Sequence, residues 1–122
     1  MGNNTLLKST PIRIKLHNKL YSNPLFANEF MTALNEYLAT EHNSAIEIDS
    51  FDLQSKSIRF IKQHELPKYE LDGCIYMALL YIIDKYNNVL ELSKEEKDTI
   101  RDNIRIFINI LYLSDTCIAI QF

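Results

Sequence analysis

The chain has 122 residues, 47% of them hydrophobic and 24% charged, an ordinary globular composition that excludes intrinsic disorder and collagen-like repeats. Its formal net charge of −3 gives no bulk attraction for nucleic acid. Only two glycines are present, Gly2 and Gly73, too few for a Walker loop or a dinucleotide-binding turn, whose backbone must come close to a phosphate.

The charge is unevenly spread. Ahead of Glu29 the only charged residues are Lys8, Arg13, Lys15 and Lys19, and the rest of the chain carries all 16 acids. Residues 1–10 hold one base and no long apolar run, so they read as a flexible tail and not as a signal peptide. Leu6 stands where an N-myristoylation motif needs Ser or Thr. The apolar stretches Ile75–Ile83 and Ile104–Leu113 are too short to cross a bilayer. Cys74 and Cys117 are each flanked by apolar residues, which points to buried free thiols and a reducing, cytoplasmic setting.

The first predicted element is a strand over Ile12–Leu16, where apolar and basic residues alternate. A short helix opened by Thr10-Pro11 and running to Leu20 competes for the same residues. Asn23-Pro24 then supplies an N-cap followed by proline at the first helical position. Phe26, Phe30, Ala33, Leu34, Tyr37 and Leu38 follow at helical spacing, and this helix should end near His42-Asn43. Alternation resumes over Ala45–Asp49 and again over Ser57–Phe60, predicting two strands. A helical stripe through Phe51, Ile58 and Ile61 is the competing reading there.

Pro67 separates the two halves. A second helix is expected from about Tyr69 to Asn88, apolar nearly all round and therefore central and buried. The third has the strongest start signal, a Ser93/Glu96 capping box with Glu95 at the positive helix end. Its face runs through Ile100, Ile104, Phe107, Ile108 and Leu111. The short connection between these two helices makes them antiparallel neighbours. Cys117–Phe122 alternates once more and closes the pattern with a strand.

Charges suggest how the strands pair. Arg13 and Lys15 on the first strand would face Glu47 and Asp49 on the second, with Arg59 across from the acids on the other side. The expected fold is a single α+β domain over 1–122, three main helices on one face of a small, mostly antiparallel sheet. The order is β-α-β-β-α-α-β, with the Ala45–Asp49 strand between its neighbours. An all-α bundle is the alternative.

Chemical motifs are sparse. His17, His42 and His64 fall on separate elements, without the i, i+4 pairing of a helical zinc site, and no Cys-x-x-Cys exists, so no metal or cofactor is expected. There is no Gly-x-Ser-x-Gly. Cys74 follows Gly73 near a helix start, where a thiol pKa can fall, but no histidine is near it in sequence. Glu95, Glu96, Asp98 and Asp102 are explained by the helix dipole and by neighbouring Lys94, Lys97, Arg101 and Arg105.

What remains is surface for a partner. Glu41, Glu47, Asp49 and Asp52 form an acidic stretch without a base, and Glu65, Glu70 and Asp72 flank Pro67 on an expected loop. Such acids can steer a basic partner. Some of Tyr69, Tyr76, Leu80, Ile106 and Leu113 are candidates for an exposed apolar patch, which would allow a homodimer. The functional expectation is therefore a non-catalytic protein-binding domain, an inhibitor of the immunity-protein or phage-antagonist type. The alternatives are a small enzyme built from scattered residues such as Cys74, and a homodimeric scaffold.

Overall fold

The computed structural model of the chain describes residues 2–52, 57–62 and 67–121. Among them are five α-helices and one four-stranded antiparallel sheet. The elements run α1 (Gly2–Ser22), α2 (Pro24–Glu41), β1 (Ile46–Asp52), β2 (Ser57–Lys62), α3 (Lys68–Lys85), α4 (Asn87–Leu90), α5 (Lys94–Asp102), a 3-10 turn (Ile104–Ile106), β3 (Asn109–Tyr112) and β4 (Cys117–Gln121). The fold is α+β, with β1 and β3 at the sheet edges and β2 and β4 at its centre.

The strand expected over Ile12–Leu16 is part of α1 instead. Ile12 and Leu16 satisfy both patterns, because a spacing of four is even and is also close to one helical turn. Their neighbours decide. Leu20 is buried with them, whereas Ile14, which a strand would bury on the same face, is 52% exposed. The competing helical reading was right about the type of structure, although α1 starts well before Thr10.

Moving this segment into a helix removes the expected cross-strand pairs. Arg13 donates through Nη2 to the Ile106 carbonyl. Lys15 pairs with Glu96 at 2.8 Å and also donates to the Glu91 carbonyl. Neither base faces Glu47 or Asp49 across a ladder. With no strand on its far side among the described residues, β1 is an edge strand and not a central one. Arg59 does lie across from β1, opposite Ser50, with Glu47 and Asp52 diagonal to it.

Helix α2 forms as its sequence dictates. The Asn23 side chain accepts from the Phe26 amide at 3.1 Å, and Pro24 occupies the first helical position. Phe26, Phe30, Leu34 and Leu38 form its buried stripe. Asn43 and Ser44 then adopt positive φ, 53° and 56°, and the chain turns back into β1. Asn tolerates that conformation better than most residues.

Helix α3 buries Leu71, Ile75, Leu79 and Ile82, yet leaves Met77 56% and Tyr81 52% exposed. It is therefore not enclosed on all sides, as its apolar sequence suggested. The capping box of α5 is present in full, with Ser93 Oγ accepting from the Glu96 amide and Glu96 Oε1 accepting from the Ser93 amide. The helix stops at Asp102, however, and does not continue to Leu111. Asn103 caps it, and the isoleucine-rich segment beyond becomes the 3-10 turn and β3. An apolar run fits a buried helix or a buried strand equally well. Here the available β4 ladder favours the strand over Asn109–Tyr112.

One hydrophobic cluster links the layers. Phe30 from α2, Phe60 from β2 and Phe107 from the turn before β3 are each essentially inaccessible. Burial of an aromatic side chain of this kind contributes about 1.5–3 kcal/mol.

Candidate functional site

The ladder register sorts the sheet into two faces. Ile46, Ile48 and Phe51 of β1 pair with Lys62, Phe60 and Ile58 of β2, and Phe60 and Ile58 pair in turn with Ile118 and Ile120 of β4. That face, apart from Lys62, packs into the core. The opposite face carries three cross-strand rows. One is Glu47–Ile61–Cys117, the next Ser50–Arg59–Ala119–Leu111, and the third Asp52–Ser57–Gln121–Asn109.

This outer face is largely open. Glu47, Ser50, Asp52, Arg59 and Asn109 are exposed, as are Ile61 at 38% and Leu111 at 41%. Leu113, immediately past β3, is 46% exposed. Ala119 is buried beneath its larger neighbours Arg59 and Leu111. The surface thus has Arg59 and Ala119 at its middle, exposed Ile61 on β2, exposed Leu111 on the β3 edge and carboxylates along the β1 edge. Asp49 sits at a bulge between the paired residues Ile48 and Ser50, exposed and out of register. Asn35 of α2 reaches the same strand, its Oδ1 accepting from the Ile48 amide at 3.1 Å. A bulge, acidic side chains and a covering contact are the usual devices that keep an edge strand from pairing at random.

The seven acids singled out in the sequence do not form one face. Glu47, Asp49 and Asp52 share β1. Glu70 and Asp72 lie in the first turns of α3 and not on a loop. Asp72 accepts from the Tyr112 hydroxyl, and burial together with this carboxylate pushes the Tyr112 phenol up to about 12. Glu41 and Glu70 line a cavity of about 560 Å³ at the C-terminal end of α2. Glu65 lies outside the described residues, as does His64.

The same cavity holds a contact the sequence hid. Cys74 Sγ lies 3.3 Å from His42 Nδ1. His42 is the C-cap of α2 and Cys74 sits in the second turn of α3, so only the packing of these two helices brings them together. Tyr37 meets the His42 ring edge-on. Neither cysteine forms a disulfide, and both are half-buried.

The chemistry open to this pair is limited. Burial, then the Glu70 charge, raise the Cys74 pKa above its ordinary value. A nucleophilic or metal-binding cysteine needs the thiolate. His42 Nε2 is buried without a hydrogen-bond partner among the described residues, so no carboxylate or amide orients the ring as in a catalytic triad. The geometry describes a contact between the Cys74 thiol and the His42 ring at 3.3 Å. No group of three or more His, Cys, Asp or Glu side chains suited to a metal ion occurs among the described residues.

No known protein family, curated protein or solved structure matches this chain. Its surface must be read on its own terms. Among the described residues no helix is long and apolar enough to cross a membrane. The wet face of β1, β2 and β4 is expected from their alternation, but the addition of Leu111 on β3 to that face is not, because the segment through Leu111 reads as helix. Ile61, Leu111 and Cys117 alternate with core residues, but which face stays open depends on where the helices pack. His17, on α1, packs edge-on against Tyr21.

Proposed function

We propose that this chain is a non-catalytic protein-binding domain, an inhibitor of the immunity-protein or phage-antagonist type, and that its outer sheet face masks a basic surface on the partner. One observation carries the reading. Exposed Ile61 on β2 and Leu111 on the β3 edge share an open sheet face with Arg59, and exposed Glu47, Asp49 and Asp52 run along the opposite, β1 edge. Protein interfaces commonly combine apolar contacts with a polar rim, and a rim of one sign speeds encounter with an oppositely charged partner. The acids on β1 supply that steering, and the exposed side chains of Ile61 and Leu111 supply apolar contact area.

The test is affinity capture from the native host with three proteins: the wild-type chain, Leu111→Asp, and the triple variant Glu47→Lys/Asp49→Lys/Asp52→Lys. A basic protein should bind the wild type, lose its activity on binding, and fail to bind either variant. A partner held equally by all three rules out this face. Turnover of a small substrate by a chain that captures nothing rules out the whole reading.

A second reading, a small thiol enzyme, draws on the Cys74–His42 contact beside a cavity. The raised thiol pKa, and a His42 Nε2 that has no hydrogen-bond partner among the described residues, weigh against it. Slow, nonselective alkylation of Cys74 at neutral pH would retire it.

A further inference from the structure

We propose that the groove between α3 and α5 is a binding site for a small amphipathic carboxylate, a single anionic head on an acyl chain, and that it works independently of the outer sheet face. The groove encloses about 610 Å³, within the usual range for small-molecule sites. Leu80, Ile83 and Ile100 give it an apolar floor. Met77 and Tyr81 line it while being more than half exposed. These are large apolar side chains of α3 left open to solvent on a helix whose sequence would suit a buried core.

Tyr81 does not stand alone. Its ring stacks on Tyr37 of α2, centroids 4.7 Å apart and planes at 25°. The stacked pair forms a stiff wall, since each ring limits the other's rotation. A preformed apolar surface lowers the ordering cost of binding.

The charges around the groove select the sign of the head group. Lys94, Lys97 and Arg101 line it from α5, against Asp98 on the same helix and Asp84 on α3. Arg101 is taken up by Asp98 at 2.8 Å. Neither Lys94 nor Lys97 makes an ion pair within 4 Å among the described residues. With Asp98 taken up by Arg101, the lining retains two unpaired lysines against one further carboxylate, Asp84, on a chain whose net charge is −3. The positive character comes from the lysines and not from the helix end, because Ser93 Oγ already takes the Glu96 amide. A long apolar body fits the floor and the tyrosine wall, and a carboxylate fits the lysines. A neutral ligand gains only the first, and a cationic one is repelled.

The experiment is an NMR titration of the full chain with octanoate, 1-octanol and octyltrimethylammonium, each kept below its aggregation range. Octanoate should shift the Met77 methyl and the amides of Tyr81, Lys94 and Lys97 in a saturable way. Octanol should bind the same residues roughly ten-fold more weakly, the difference expected for two partly exposed charge contacts. The two substitutions Lys94→Glu and Lys97→Glu together should erase that difference while leaving octanol binding unchanged. Asp84→Asn should tighten octanoate several-fold, an effect of opposite sign that mere unfolding cannot produce. The proposal is overturned if octanol matches octanoate in the wild type, if the cation binds as well, or if octanoate shifts residues elsewhere. It also fails if the Met77 signal moves with protein concentration alone, which would mean that a second copy covers the groove.

Discussion

Removing the link between Lys15 and Glu96 tests the largest difference between the expected and observed folds. Lys15 Nζ lies 2.8 Å from Glu96 Oε1, with 40% of the lysine side chain and 19% of the glutamate side chain exposed. Direct Coulomb attraction at that distance is several kcal/mol at an effective dielectric of about 20. Desolvation and lost side-chain freedom cancel most of it, leaving a coupling of about 1 kcal/mol. A double-mutant cycle on Lys15→Met and Glu96→Gln reads this number by urea denaturation. Gln at this position can still accept from the Ser93 amide, so the capping box survives and the cycle isolates the ion pair. In thermal melts the coupling corresponds to roughly 4 °C for a domain of this size. Burial alone would raise the Glu96 carboxyl, but hydrogen bonds from Lys15 and the Ser93 amide hold it below the ordinary carboxylate value. A depressed carboxylate stabilises the fold above its unfolded pKa, and that stability fades as pH drops through the folded value. The coupling should therefore be full at neutral pH and vanish in strong acid. The control is a cycle on Lys15→Met and Glu47→Gln, for which no coupling is expected. If Lys15 couples to Glu47 and not to Glu96, residues 12–16 form a strand beside β1 and the assignment of α1 is wrong.

Three further outcomes follow from the geometry. Phe107→Ala should cost about 3–5 kcal/mol in chemical denaturation, because Phe107 is fully buried where the chain leaves the 3-10 turn. A cost near zero would show that this turn does not pack on the core. Alkylation of Cys74 in the folded chain should stay slow through neutral pH and accelerate only above the ordinary thiol range. Mass spectrometry of the modified peptide reads the rate, and fast modification at neutral pH would contradict the raised pKa. In a spectrophotometric titration Tyr21 and Tyr112 should ionise last, near 12. Tyr112→Phe should remove one late step and lower stability by about 0.5–1 kcal/mol. The Tyr112–Asp72 bond needs the protonated phenol, so its contribution is present below the ordinary phenol pKa and is lost as pH rises through the folded value.

The legible parts of this fold are those where local chemistry and tertiary packing agree. Asn23-Pro24 starts α2, and the Ser93/Glu96 box starts α5, because caps act within a single turn. Strands β1, β2 and β4 show in their alternation because one face is wet. Legibility ended where a pattern served two structures. Ile12 and Leu16 suit a strand or a helix, and only the burial of Leu20 over Ile14 separates them. Residues 104–111 are apolar except for Arg105 and Asn109, and only pairing with β4 makes the last of them a strand. Of the candidate sites, the β1 acids could be found by inspection. The Cys74–His42 contact and the groove beside Tyr81 could not, since each joins residues of different helices and neither leaves a motif.

The sheet order also has a consequence for how the chain reaches this fold. Strands β1 and β2 are close in sequence and can pair early, but the inner partner of β2 is β4, which follows three helices and β3. Contacts between distant segments form slowly because a long loop must close first. Until β4 arrives, the β1–β2 hairpin has two unsatisfied edges, and Ile58 and Phe60 have no sheet partner on one side. The charges of Glu47, Asp49, Asp52 and Arg59 are all on that hairpin during this interval. They hinder pairing between identical hairpins from different molecules, which face like charges in the same places. Neutralising them should leave the native stability almost unchanged and lower the yield of refolding at high protein concentration.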